Sequence, residues 1–202
     1  YVFPLADDAT VDEMRMKIGP RTITGEIKER EEASRTYEAA KSEGRRASLL
    51  EQHRPNLFTV SVASIGSRES VDIEIEYQQT ITFDPATSRG ASSRFSLRIP
   101  LAVAPRYTPP NSDSSLPPMR HEPRHPKRNP VTLEIDLDSG IPLSTIASPT
   151  HELQQVPLSD TRTKLTPRNV EIASDRDFEL VWTPRLGAMP QSASFSEIAG
   201  EH

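Results

Sequence analysis

The stretch of sequence that decides the fold spans residues 25–59 and reads GEIKEREEASRTYEAAKSEGRRASLLEQHRPNLFT. Within it, Ala33, Tyr37 and Ala40 recur at i, i+4 and i+7, and charged side chains occupy most of the other positions of residues 29–43. Apolar residues at this period are typical of a helix that lies on a surface and buries one narrow face. The sequence therefore predicts one short α-helix, over about residues 29–43.

The sequence on both sides of this helix has a different period. Apolar residues alternate with polar ones over residues 12–18 and 21–28, which predicts a hairpin with Gly19-Pro20 in its turn. Further alternating segments lie at residues 57–63, 71–83, 95–99, 131–137, 141–146, 162–165, 170–172 and 178–182. Short strands separated by turns about every 8 to 12 residues predict a mainly β fold. The expected architecture is an antiparallel β-sandwich with one short helix, followed by a second β-rich subdomain.

Length, charge and cysteine content exclude several classes of function. A chain of 202 residues suits one large domain or two small ones, and we favour two. The net charge is −5, with acidic and basic residues interspersed, which argues against nucleic acid as a partner. The chain has no cysteine, so disulfides and thiolate metal sites are excluded. No apolar run approaches the roughly 20 residues that a transmembrane helix needs.

Residues 105–130 carry eight of the 19 prolines and almost no apolar side chain. Proline lacks an N–H group and restricts the residue before it, so neither a strand nor a helix is expected there. This composition predicts a polyproline-like linker or a mobile loop. The predicted organisation is a first domain over residues 1–107, a proline-rich segment over 108–130 and a β-rich segment over 131–202.

A set of small, apolar and charged residues occurs with distinctive spacing over about the first 77 positions. Its members are Phe3-Pro4-Leu5, Met14, Met16, Ile18-Gly19, Arg21, Gly25, Ile27-Lys28-Glu29, Ala33, Tyr37-Glu38, Ala40, Gly44, Leu49-Leu50-Glu51-Gln52, Arg54-Pro55-Asn56, Phe58-Thr59, Val62-Ala63, Ile65 and Tyr77. In this pattern the chain resembles the VIT domain (vault protein inter-alpha-trypsin). That domain occurs in inter-alpha-trypsin inhibitor heavy chains and in bacterial surface proteins where a von Willebrand A domain follows it. The resemblance covers about the first 110 residues, and the remainder resembles the β-rich segment that joins the two domains in bacterial members.

The resemblance implies a non-catalytic interaction or scaffolding module of a secreted or surface-attached bacterial protein, acting beside a von Willebrand A domain. The implied partners are that domain or another protein, recognised through a sheet surface or edge. No cofactor and no metal are implied. The family's opening strands would precede Tyr1, so we expect an unpaired sheet edge and a chain cut from a longer protein, with any export signal upstream. A structural spacer is the alternative.

One cluster of the shared residues is Glu51, Arg54, Pro55 and Asn56. Pro55 holds the preceding Arg54 extended, and Asn56 tolerates unusual backbone angles before the next strand. A partly buried ion pair between Glu51 and Arg54 is expected to fix the crossing between sheets. This cluster is therefore interpreted as architectural, with contact to a partner as the alternative reading.

Residues 121–125 spell H-E-x-x-H, the signature of zinc proteases. Zinc binding requires both His121 and His125 on one helical face, and Pro123 and Pro126 disfavour that helix. We therefore interpret the segment as a solvated loop, with a metal-dependent hydrolase as the disfavoured alternative.

The same loop carries a basic cluster, Arg120, Arg124, Lys127 and Arg128. An acidic glycan is a candidate partner for these four side chains, against the simpler reading of a solvated loop. The acidic run at residues 136–140, DLDSG, lacks the closing Glu of a calcium loop and instead predicts a strand that ends in an Asp-Ser-Gly turn.

Overall fold

A computed structural model describes residues 2–54, 57–86, 92–101 and 130–185. The chain forms two compact units. Among the described residues, the first unit contains 2–54, 57–80 and 100–101, and the second contains 81–86, 92–99 and 130–185.

In its described residues, the first unit has two three-stranded antiparallel sheets and one helix. Its elements are β1 (Val2–Pro4), β2 (Thr10–Ile18), β3 (Arg21–Thr24), α1 (Arg30–Ser42), β4 (Ala47–Arg54), β5 (Leu57–Ala63) and β6 (Asp72–Gln78). One sheet has the order β1-β5-β4 and the other β3-β2-β6. The buried apolar side chains of this unit are Leu5, Met16, Ile18, Ala40, Leu49, Leu57, Phe58, Val60 and Ala63.

The predicted hairpin is confirmed, because β2 and β3 pair in antiparallel register with Ile18 opposite Arg21. Gly19 occupies its turn with φ +56°, a conformation that side chains disfavour. The second strand is shorter than predicted and ends at Thr24. Ile27 does not continue the pattern, since it is 90% exposed in the segment that leads to the helix.

The predicted helix is confirmed as α1, with Ala40 buried and Ala33 and Tyr37 half-buried. It ends in a Schellman motif, in which Gly44 N donates to Lys41 O and Arg45 N donates to Ala40 O. Gly44 adopts φ +69°, which places glycine at the position where this motif needs a left-handed residue. The helix packs against β4.

The second unit consists of a four-stranded and a three-stranded antiparallel sheet. Its elements are β7 (Thr82–Asp84), β8 (Arg94–Ile99), β9 (Ile135–Asp138), β10 (Leu143–Ala147), β11 (Leu153–Pro157), β12 (Arg162–Pro167) and β13 (Phe178–Pro184). The sheet orders are β10-β13-β8-β7 and β11-β12-β9. The side chains of Leu165, Phe178 and Leu180 have no exposed surface, and Trp182 stacks on Phe95 at 5.9 Å.

The predicted fold class is confirmed: the chain is mainly antiparallel β, with one helix in the described residues and a second β-rich unit. One predicted strand is wrong. Residues 170–172 form a turn in which Ile172 makes a single bridge to Val131, and Val170 is 79% exposed. Within the described ranges this single bridge is the only strand-like pairing of the segment, and two apolar residues at period two are too few to hold a strand by themselves.

Strand pairing places β7 and β8 in the second unit, since β8 pairs with β13 and β7 pairs with β8. The sequence predicts a first domain that extends to residue 107, because alternation marks a strand without revealing its partner. The predicted proline-rich segment lies outside the described residues up to residue 129, so its boundaries at 108 and 130 remain a prediction.

Candidate interaction surface

Glu51, the first residue of the predicted architectural cluster, lies on β4 opposite Thr59 of β5. Its Oε1 atom is 3.7 Å from Arg30 Nε at the start of α1, and its side chain is only 22% exposed. Glu51 therefore links the helix to the sheet. Because Arg30 is largely exposed, this pair contributes less than about 1 kcal/mol.

The remaining members of that cluster are only partly described. The backbone of Arg54 pairs with Leu57 across a register shift, and its side chain lies outside the described atoms. Pro55 and Asn56 also lie outside the described residues. The Glu51–Arg54 ion pair therefore stays a prediction.

The other predicted site residues, Arg120, Arg124, Lys127 and Arg128, lie outside the described residues, as do His121 and His125. Within residues 2–54, 57–86, 92–101 and 130–185, no three His, Asp or Glu side chains come together in a way that could hold a metal ion. The predicted Asp-Ser-Gly turn lies within these ranges and is observed. Gly140 has φ +66° and its N–H donates to Asp138 Oδ1 at 3.2 Å.

The most distinctive surface of the first unit is an apolar groove of about 650 Å³ between the two sheets. It is lined by Phe3, Val60, Val62, Ile65, Val71, Ile73 and Ile75, all of them apolar. We call this set the groove. Phe3 and Phe58 stack at 6.0 Å across the β1–β5 pair.

Two edge strands border the groove. β1 ends the order β1-β5-β4 and β6 ends the order β3-β2-β6, and in the described residues β6 pairs with β2 alone. Along β6, Ile73, Ile75 and Tyr77 are half-buried while the residues between them are exposed. The apolar face of this strand is thus only partly covered by the opposite sheet.

The outer face of the same sheet is acidic. Glu13, Asp72, Glu74 and Glu76 accompany two cations, Arg15 and Lys17, which leaves a net charge of −2 when all are ionised. Lys17 Nζ lies 2.9 Å from Glu74 Oε2, and Arg15 Nη1 lies 3.5 Å from the same oxygen. Hydrogen bonding from Lys17, with Arg15 as a weaker partner, lowers the pKa of Glu74, so this carboxylate is ionised at neutral pH.

A strained loop forms one lip of the groove. Ser64 and Arg68 have φ of +59° and +63°, a left-handed conformation that costs a non-glycine residue about 1 to 3 kcal/mol. The loop is held by Glu69, whose Oε2 accepts from Gly66 N at 2.9 Å and whose Oε1 lies 2.6 Å from Arg46 Nη2. It presents Ile65 to the groove with 52% of that residue exposed.

Comparison with known proteins bears on the first unit. The family model of the vault protein inter-alpha-trypsin domain, VIT, matches residues 1–77. Residues 1–77 are a VIT domain. The resemblance predicted from the sequence is confirmed over this range, and the groove lies entirely within the VIT domain.

Similar proteins are much longer than this chain. Protein mono-ADP-ribosyltransferase PARP4 of Mus musculus is 46% identical over 77 residues, which is 38% of this chain and 4% of that protein. The Homo sapiens protein of the same name is 43% identical over 77 residues, with the same two coverages. Von Willebrand factor A domain-containing protein 5A of Rattus norvegicus is 28% identical over 109 residues, or 53% of this chain and 12% of that protein. The VIT domain is thus a module that occurs within larger proteins.

Sequence reasoning missed the groove as a site, although it predicted the strands that form its walls. The groove residues of β5 and β6 share one parity along each strand, which identifies a common face. That signal does not show whether the facing sheet covers the residues. The described residues also contain no helix that is long and apolar enough to cross a membrane.

Proposed function

We propose that this chain is a non-catalytic protein-interaction or scaffolding module of a multidomain protein, and that the groove is its contact surface. The observation that carries the proposal is a groove that is lined by apolar side chains and bordered by the edge strand β6. Contiguous apolar surface and unpaired strand edges are the features through which sheets bind other chains. On the opposite face of β6, Glu74 is ion-paired with Lys17 and Arg15, and such a charged face suits recognition of a partner of complementary charge.

A neighbouring von Willebrand A domain is the partner we favour. The likeness to the rat protein, which carries such a domain by name, supports this choice. Site-specific photo-cross-linking in the full-length protein tests it, with the cross-linker placed at Ile73 in the groove. Val170, highly exposed in the second unit, serves as the matched control position.

Cross-linking at residue 73 to an A domain, and none at residue 170, is the expected result. Equal yields at both positions, or none at either, would favour the alternative of a structural spacer. Cross-linking to a different protein would keep the interaction role and replace the partner.

We extend the proposal to location and source, which the resemblance implies are secreted or surface-attached and bacterial. Protease shaving of intact cells tests the location, since a surface protein is cleaved from outside while a cytoplasmic marker survives. Survival of the full-length protein together with the marker would contradict it.

The basic cluster at residues 120–128 is proposed as a secondary contact for an acidic glycan. Replacing Arg120, Arg124, Lys127 and Arg128 by Gln should lower retention on immobilised heparin, because each cation removed weakens a salt-dependent attraction. Unchanged retention would remove the glycan from the proposal. Titration with zinc tests the hydrolase alternative at His121 and His125, which stoichiometric tight binding and chelator-sensitive hydrolysis would revive.

A further inference from the structure

We propose that the groove accepts an extended strand from a partner protein, which adds to the outer edge of β6 and alternates apolar with basic side chains. The proposal rests on the proposed function and names the chemistry of the partner segment.

The backbone of β6 offers a template for one more strand. In the described part of the chain, β6 pairs with β2 on one side only, from Gln78 opposite Thr10 to Asp72 opposite Lys17. The N–H and C=O groups of its second side are directed away from β2, where an added antiparallel or parallel strand would meet them. A strand of seven residues matches β6 in length.

The apolar face fixes which side chains of the added strand point inward. Side chains of a sheet alternate between faces, so every second residue of a strand beside β6 lies on the same face as Ile73 and Ile75. There it meets Val62 of the opposite sheet and Ile65 of the loop. Each Val or Ile that becomes fully buried contributes about 1.5 to 3 kcal/mol. No lining side chain offers a polar partner, so a polar inward residue is rejected.

The charged face fixes the chemistry of the remaining residues. Outward side chains of the added strand lie beside Asp72, Glu74 and Glu76. The net negative charge of this face favours Lys or Arg at those positions and disfavours Asp or Glu. Glu76 Oε2 is 3.8 Å from Arg15 Nη2, and its side chain is 65% exposed, which leaves it accessible to a new cation.

The strained loop adds an independent reason to assign function to this face. Non-glycine residues held at positive φ cluster at ligand clamps and binding loops. Here Ser64 and Arg68 fix the loop that carries Ile65, and the Glu69–Arg46 ion pair anchors it to the start of β4. Ile65 is therefore pre-positioned at the mouth of the groove, which reduces the ordering cost of binding.

Three synthetic seven-residue peptides test the proposal against the whole 202-residue chain. The first alternates Lys with Val or Ile, the second carries Glu in place of Lys, and the third has the composition of the first in a non-alternating order. Fluorescence anisotropy gives the affinities, and NMR shifts locate the contact. We expect the Lys peptide to bind at least about tenfold more tightly than the Glu peptide at low salt, with shifts centred on β6 amides. The shuffled peptide should not bind.

Two substitutions separate the apolar from the charged part of the proposal. Ile75→Asn should abolish binding of the Lys peptide, whereas Val170→Asn in the second unit should leave it unchanged. Glu76→Lys should reduce the preference for the Lys peptide and improve binding of the Glu peptide. This reversal does not depend on stability, so it stands even if Ile75→Asn fails to fold.

Equal binding of the Lys and Glu peptides overturns the charge assignment, and shifts away from β6 overturn strand addition. Failure of all three peptides also overturns it, as does occupancy of the groove by another segment of the same polypeptide. Peptide failure together with groove cross-linking at residue 73 leaves the interaction role in place and rejects only the strand mechanism.

Discussion

Strands β6 and β13 have similar sequence patterns but differ in burial. β6 alternates apolar and polar residues over seven positions, and β13 does so over a strand of the same length except at Val181. In β13 the side chains of Phe178, Leu180 and Trp182 are at most 5% exposed, whereas the apolar residues of β6 are only half-buried. β13 lies between β10 and β8, and β6 ends its sheet. Alternation thus determines which face is apolar, while the position in the sheet determines how completely that face is covered.

The largest expected effect is the difference between core substitutions in the two strands. Phe178→Ala should lower the free energy of unfolding of the second unit by about 3 to 5 kcal/mol, because it leaves a cavity in a closed core. Ile75→Ala should cost the first unit much less, since its side chain is already partly hydrated. Urea titration followed by hydrogen exchange and mass spectrometry resolves the two units. Equal losses would mean that the groove is closed in solution.

Gly44→Ala should destabilise the first unit by about 1 kcal/mol. No atom lies within 4 Å of the added methyl carbon, so the cost arises from φ +69° alone. Gly44→Asn is the matched control and should cost less, because asparagine tolerates the left-handed region better. Thermal melts of the three proteins provide the measurement, and an alanine variant no worse than the asparagine one would contradict the strain argument.

In the strained loop at the lip of the groove, two substitutions should raise the free energy of unfolding, whereas Gly44→Ala should lower it. Ser64→Gly and Arg68→Gly should each stabilise the first unit by up to about 1 kcal/mol by releasing strain, while they weaken binding at the groove by loosening Ile65. Ser67→Gly, in the same turn at an ordinary φ, should give no gain in stability. Calorimetry and peptide titration on the same samples measure both quantities. If the glycine variants are more stable but bind the peptide as tightly as the parent protein, the strained backbone does not contribute to binding.

The smallest expected effect concerns His151 in the second unit. Desolvation, with the charge of Arg176 adding to it and that of Asp175 opposing it, lowers the pKa of this imidazole. Its Nδ1 lies 2.9 Å from Thr150 Oγ1, and its ring packs 5.5 Å from that of Phe178. Because the unfolded state binds the proton more readily, stability should fall as pH drops below about 6.5 and level off below the folded pKa.

His151→Gln should flatten this part of the stability-versus-pH curve, and the difference from the parent protein isolates the imidazole from the carboxylates that titrate at lower pH. The histidine is partly exposed, so solvent screening keeps the effect small. If stability depends on pH between 5 and 7 with the same slope in the variant and in the parent protein, the prediction that folding lowers the pKa of His151 is wrong.

The sequence predicted those elements whose signal is local. The period of Ala33, Tyr37 and Ala40 predicted α1, and alternation predicted β5 and β13, because a helix face and a strand face both repeat within a few residues. It did not predict β11, where Gln154 and Gln155 interrupt the alternation and pairing with β12 supplies the order.

Non-local pairing explains the remaining differences. Whether β8 belongs to the first or the second unit depends on the contact of Phe95 with Trp182, which lies almost 90 residues later in the chain. The groove depends in the same way on Phe3 facing Ile73 and Ile75 across two sheets. The positive φ angles of Ser64 and Arg68 could not be predicted from the sequence, because neither residue type is typical of a left-handed turn.

The rings of Phe83, Phe95 and Trp182 lie in a row, with successive centroids 4.9 Å and 5.9 Å apart, and this arrangement has a practical consequence. Trp182 is the single tryptophan of the chain and is almost completely buried on β13, so its emission spectrum monitors the second unit. The circular dichroism of α1 near 222 nm monitors the first unit. Two optical signals from the unlabelled protein therefore distinguish joint melting from independent melting of its halves.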